Sequence, residues 1–126
     1  PYPSNTTDSS PIPADLPTTD PFSTAYTHSG KGTFYQVKAD ACGTHSRSKD
    51  LVAAISRVQF GRGKGDPAKR PWCQDRCAHV TGPLGNVTVR IVDICEDCKH
   101  GDLDFSHGAY DRLGKRIDGI IPISWK

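Results

Sequence analysis

No stretch of the 126 residues approaches the roughly 18 consecutive apolar side chains that a membrane-crossing helix needs, and no signal peptide is visible at the N-terminus. A helical membrane anchor is therefore not expected. Lysine and arginine are missing altogether from residues 1–30, which hold Asp8, Asp15 and Asp20, six of the ten prolines and eleven serines or threonines. A segment with hardly an apolar cluster cannot bury enough surface to offset chain entropy. It reads as a disordered, solvated tail open to O-glycosylation, leaving residues 31–126 as one folded domain.

Excess charge is also scarce. With the three acids of the tail set aside, 16 basic side chains face 11 acidic ones, a bias too small for a nucleic-acid footprint. The glycine-rich stretch 61–71, GRGKGDPAKRP, lacks the Gly-Lys-Ser/Thr ending and the following helix of a phosphate-binding loop. It reads as a solvated basic loop, Arg62 to Arg70. His45, His79, His100 and His107 are scattered among turns and strands, so neither a metal site nor a cofactor is expected. No internal repeat is visible.

What the chain does have is concentrated between Val87 and Ser106. Val87, Val89 and Ile91 alternate with Thr88 and Arg90, the signature of a strand with one buried face. A regular strand would carry Asp93 onto the same face, into the core or a cleft cut into it. A carboxylate there must be hydrogen-bonded by backbone amides or put to use, because unpartnered burial costs several kcal/mol.

Strands are also expected at Gly32 to Val37 and Leu51 to Ser56, the second from a run too short for periodicity to separate strand from helix. Trp72-Cys73 and Cys77 to Thr81 read as a strand entering a hairpin whose turn, Gly82 to Asn86, carries a sequon on Asn86. Ser106 is placed to cap a short helix to about Leu113, closed by Gly114. Ile117, Ile120, Ile121, Ile123 and Trp125 supply a last strand or two bent at Pro122. The fold is mainly β with one or two short helices.

The sequons at Asn5 and Asn86 and the cysteines favour a secreted protein from an oxidising compartment. Cys73 and Cys77 followed by Cys95 and Cys98 have the spacing of a four-thiolate zinc site, but the secretory signs argue for disulfides. Neighbours in a Cys-x-x-Cys pair usually serve different partners, so Cys42 is expected to join Cys98, and Cys95 to join Cys73 or Cys77.

Several segments together resemble the six-stranded double-psi β-barrel of the expansin, barwin and rare-lipoprotein-A group, and within it the single-domain loosenin-like expansins. They are Gly32-Thr33-Phe34-Tyr35, Ala41-Cys42-Gly43, Leu51-Val52-Ala53, Cys77 to Pro83, Ile91-Val92-Asp93-Ile94-Cys95, Gly101 to Ser106, and the ending Pro122-Ile123-Ser124-Trp125. The resemblance covers residues 31–126. It implies an open polysaccharide groove lined by Thr33, Tyr35, Asp93, Asp102 and Asp104, with Asp104 matching the general acid of related lytic enzymes and endoglucanases. Those endoglucanases carry their base two residues after the tyrosine, where this chain has Val37.

An inverting hydrolase needs two carboxylates about 6.5 to 9.5 Å apart, so the resemblance implies a secreted, monomeric protein that binds cellulose, chitin or a peptidoglycan-like glycan and loosens it without net hydrolysis. Two rivals follow. One is lytic cleavage with Asp104 as acid, rescued by Asp93 or by a sugar hydroxyl as nucleophile. The other is a cysteine-protease inhibitor or barwin-like defence protein.

Overall fold

The computed structural model describes residues 27–61 and 65–126. The proposed tail up to residue 26, with its Asn5 sequon, lies outside the described residues, as do positions 62–64 of the basic loop. Six strands close into a barrel in the order β1-β5-β2-β4-β3-β6. They are β1 (His28–Phe34), β2 (Val52–Ser56), β3 (Cys77–Gly82), β4 (Gly85–Cys95), β5 (Leu103–Phe105) and β6 (Ile121–Trp125). Two short helices, α1 (Arg57–Phe60) and α2 (His107–Asp111), flank it. β1 begins at His28, inside the stretch assigned to the tail, and pairs with β6 from its first residue.

The barrel interior is built by alternation. Val80, Val87, Val89, Ile91, Ile55, Leu103, Phe105, Ile121 and Ile123 point inward, each contributing about 1.5 to 3 kcal/mol by leaving water. β1 gives glycines to this face. A Cβ on Gly32 would stand 2.8 Å from the Phe105 ring, so glycine lets β1 approach the core closely. Trp72 and Trp125 are both buried, their rings edge to face at 6.2 Å and their indole N–H groups bound to the carbonyls of Gln59 and Gly101. They are core.

Ser106 caps α2 by accepting the Ala109 N–H, and the helix ends at Asp111, with Leu113 and Gly114 folded back onto the Tyr110 carbonyl. Three details correct the sequence reading. Trp72-Cys73 belong to a 3-10 turn, not to the strand before the hairpin. Asn86 lies on β4 opposite Thr81, one residue beyond the turn. Ile117 and Ile120 are exposed and precede β6 rather than forming a strand, because Arg116–Asp118 is a 3-10 turn ended by Gly119.

The cysteine pairing is also corrected. Cys42 joins Cys73, and Cys95 joins Cys98, with Cα separations of 5.1 and 5.4 Å, while Cys77 is free and exposed. The expected Cys42–Cys98 bridge, and one from Cys95 to Cys73 or Cys77, are not formed. The reason is local. Just past β4 the chain reverses so tightly that Cys98 N–H meets the Cys95 carbonyl, which brings the two neighbours together. The Cys42 amide bonds to the Val92 carbonyl, docking its turn on β4 beside the 3-10 turn that carries Cys73. With those thiols in disulfides, the four-thiolate zinc arrangement is not formed.

Candidate functional site

The site is made by a bulge. β2 and β4 run parallel with Ala53 opposite Ile91, but the next pair is Ala54 with Asp93, leaving Val92 as an extra residue on β4. The inward-outward alternation that begins at Val87 is thereby reversed, and Asp93 turns to the outer face instead of continuing the core row. A regular strand would have buried it among valines.

On that face the register sets out a row across four strands. Thr33 pairs with Asp104, Asp104 with Ala54, and Ala54 with Asp93. The two acids flank an alanine, so their backbones stand two strand spacings apart, about 10 Å, with only a methyl group between. Thr33 Oγ1 donates to Asp104 Oδ1 at 2.8 Å. Asp93 Oδ1 accepts the amides of Ala41 at 3.1 Å and Ile94 at 2.9 Å, so both bonds fall on one oxygen.

Burial pushes the Asp104 carboxyl above its ordinary value, the Thr33 hydroxyl pulls it back, and the Asp93 charge pushes it further up. Tyr35 follows β1, its ring on a small cluster of Val37, Val52 and Val92. Burial raises its phenol strongly, helped by the charges of Asp93, Asp104 and Asp40. Three carboxylates therefore lie within electrostatic reach of one hydroxyl that stays protonated and able to donate.

A pocket of about 300 Å³ opens over Asp104, lined by Lys31, Thr33, Asp97, Asp102, Ile120 and the Cys95–Cys98 disulfide. This is within the size range of small-ligand sites. Of the expected residues, Thr33, Asp102 and Asp104 line it directly, while Tyr35 and Asp93 do not. Asp102 is occupied structurally: it accepts the Lys31 amide at 2.8 Å and the Lys99 amide at 3.0 Å, pinning the 99–102 loop to β1. Lys31, Asp97, Ile120 and the spacer Ala54 were missed by sequence reasoning. Lys31 could have been found from the period of β1, which puts it on the face of Thr33.

A family profile described as lytic transglycolase matches residues 27–125. Over 47 residues the chain is 38% identical to Expansin-YoaJ of Bacillus subtilis (strain 168), a match covering 37% of this chain and 20% of that protein. Among solved structures it is similar to the Streptomyces papain inhibitor, with a TM-score of 0.73, 25% identity, and coverage of 82% of this chain and 94% of the other. It is also similar to the Clavibacter michiganensis expansin. The ligand-free form gives a TM-score of 0.66 at 28% identity, and a point mutant in complex with cellohexaose gives 0.65 at 26%. The chain covers half the length of that expansin.

Proposed function

The chain belongs to the lytic-transglycolase family of double-psi β-barrels, and from that premise we propose that it is an extracellular, monomeric, expansin-like protein that binds a β-linked polysaccharide of cellulose or chitin type and loosens it without net hydrolysis. The observation that carries this reading is the outer-face row of Thr33, Asp104, Ala54 and Asp93 with Tyr35 beside it. A sugar hydroxyl is both donor and acceptor. Asp93 and Asp104 accept from it and the Tyr35 phenol donates to it, so a glycan chain laid over Ala54 exchanges hydrogen bonds to its neighbours for bonds to the protein. The complex of a related expansin with cellohexaose supports the ligand class.

Hydrolysis with inversion needs a second carboxylate free to activate water. At the position where related endoglucanases carry that base this chain has Val37, buried under Tyr35. Asp93 has one oxygen committed to two amides. The groove therefore lacks a carboxylate at the position where related endoglucanases carry their base.

The test is to incubate the protein with insoluble cellulose, chitin and peptidoglycan and measure both fibre weakening and released ends. Weakening without sustained release is expected, and Asp104→Asn should abolish it. Release that depends on Asp104 would overturn the non-hydrolytic reading in favour of lytic cleavage. That second reading is favoured by the raised Asp104 carboxyl, suited to an acid, and by the fact that transglycosylation needs only one carboxylate when the sugar's own hydroxyl attacks. Tight binding to papain with no binding to any glycan would select the inhibitor reading instead.

A further inference from the structure

A second depression, of about 430 Å³, is lined by residues of β1, β3 and β6 and of the hairpin turn after β3. Its cause is a mismatch between strands. β3 leaves the sheet at Gly82 for the hairpin turn, while β6 continues back to Ile121, so the β3–β6 pairing comprises only Val80 with Trp125 and Thr81 with Ser124. Beyond that point β6 has no β3 partner. Pro122, which has no N–H to give, occupies this unpaired edge, and the space beside it is the trough.

The register connects the two depressions. Ser29, Lys31 and Thr33 alternate on the outer face of β1, with no break in the β1–β6 ladder. Thr33 and Lys31 line the Asp104 pocket, and Ser29 lines the trough. The pocket's Lys31 is paired directly with the trough's Pro122, so the two meet at one cross-strand pair. From Thr33 to Ser29 the path is about 14 Å, four residues of strand.

Three hydroxyls stand in one row across the trough: Ser29 pairs with Ser124, and Ser124 with Thr81. Pro83 and Pro122 add flat, rigid apolar faces, and none of the residues lining the trough is charged. A peptide anchored by its ends, a phosphate or a nucleic acid finds no counter-charge there. A neutral polyhydroxylated chain finds hydroxyls for its edges and proline rings for its C–H faces.

We infer that this trough is an outlying subsite for the same glycan chain that crosses Asp104, so that the groove runs from Asp104 over Lys31 and Pro122 to Ser29, Ser124 and Thr81. The inference rests on the glycan-binding reading above and extends it. Its sign is length-dependent affinity: an oligosaccharide confined to the Asp104 pocket ignores the trough, and a longer one gains from it.

The experiment is calorimetric titration of the full chain with cellotriose and cellohexaose, and with the chitin trimer and hexamer. Two variants are compared with wild type, a Ser29→Ala, Thr81→Ala, Ser124→Ala triple and the obstructing Thr81→Arg. Wild type should bind the hexamer at least tenfold tighter than the trimer. Each variant should lose about tenfold on the hexamer, as expected for two or more hydrogen bonds, with trimer affinity unchanged. Backbone amide shifts at Ser29, Thr81 and Ser124 should respond only to the hexamer. If hexamer affinity survives both variants, or the hexamer binds no tighter than the trimer, the subsite is refuted while the Asp104 reading stands. If wild type binds no oligosaccharide, both fall.

Discussion

Thr33 donates its hydroxyl to Asp104 across a pair of parallel strands, 71 positions apart in the chain. That bond favours the ionised carboxylate, whereas burial and the Asp93 charge favour the neutral acid and outweigh it. The folded state therefore holds the Asp104 proton to higher pH than the unfolded chain does. Between the ordinary carboxyl value and the raised one, the native protein binds more protons, so this group's contribution to stability falls as pH rises through that window.

Asp104→Asn removes the pH dependence while keeping an oxygen for the Thr33 hydroxyl. The variant is expected to melt a few degrees above wild type at neutral pH and to show no gain at about pH 3, where both folded and unfolded carboxyls are protonated. Scanning calorimetry at the two pH values checks this. An equal shift at both would mean that packing, not ionisation, sets the difference.

Tyr35→Phe keeps the ring on Val37, Val52 and Val92 and deletes only the hydroxyl. Stability should change by less than about 0.5 kcal/mol. Affinity for cellohexaose should drop about fivefold to tenfold, the worth of one hydrogen bond. Unaltered affinity would place the phenol outside the glycan contact.

Ala54→Val inserts two methyl groups between Asp93 and Asp104 at a position only 3% exposed. An overpacking cost of about 1 to 3 kcal/mol is expected, together with loss of glycan binding well beyond what the unfolded fraction explains. Ala54→Gly, which leaves the gap open, should bind normally. Denaturant melts paired with binding isotherms separate the two effects.

The disulfides should differ in what they sustain. Cys42–Cys73 closes 31 positions and Cys95–Cys98 closes 3, so loop-closure entropy assigns them about 4 and about 2 kcal/mol. Replacing both members of the first pair by serine should lower the denaturation midpoint markedly with little effect on ligand affinity near the midpoint-corrected baseline. Replacing the second pair should do the reverse, because its sulfurs form part of the pocket wall.

Much of this architecture could be read from the chain before any coordinates. The period-2 run at Val87, Val89 and Ile91 marks β4, the glycines and proline at 82–85 mark the hairpin turn, and Ser106 marks the helix start, because each signal is local. Thr33 and Asp104 came from family resemblance rather than from pattern, since β5 has only three residues and no measurable period.

What could not be read depends on pairing between distant strands. The bulge at Val92 is visible only against β2, and without it Asp93 takes the wrong face. The Cys95–Cys98 pairing depends on a tight reversal that residue spacing alone does not distinguish from an extended segment. That the two oxygens of Asp102 hold the amides of Lys31 and Lys99 could not be read either, since Lys31 lies 71 positions away on β1.

Strand β1 finds both of its neighbours, β5 and β6, in the final quarter of the chain. While the polypeptide is being synthesised, its first strand has nothing to pair with until residues 103–125 have left the ribosome, and the barrel cannot close piecemeal. Until then the barrel stays open, although the Cys95–Cys98 bridge, held by a turn within residues 95–98, needs no later strand to form.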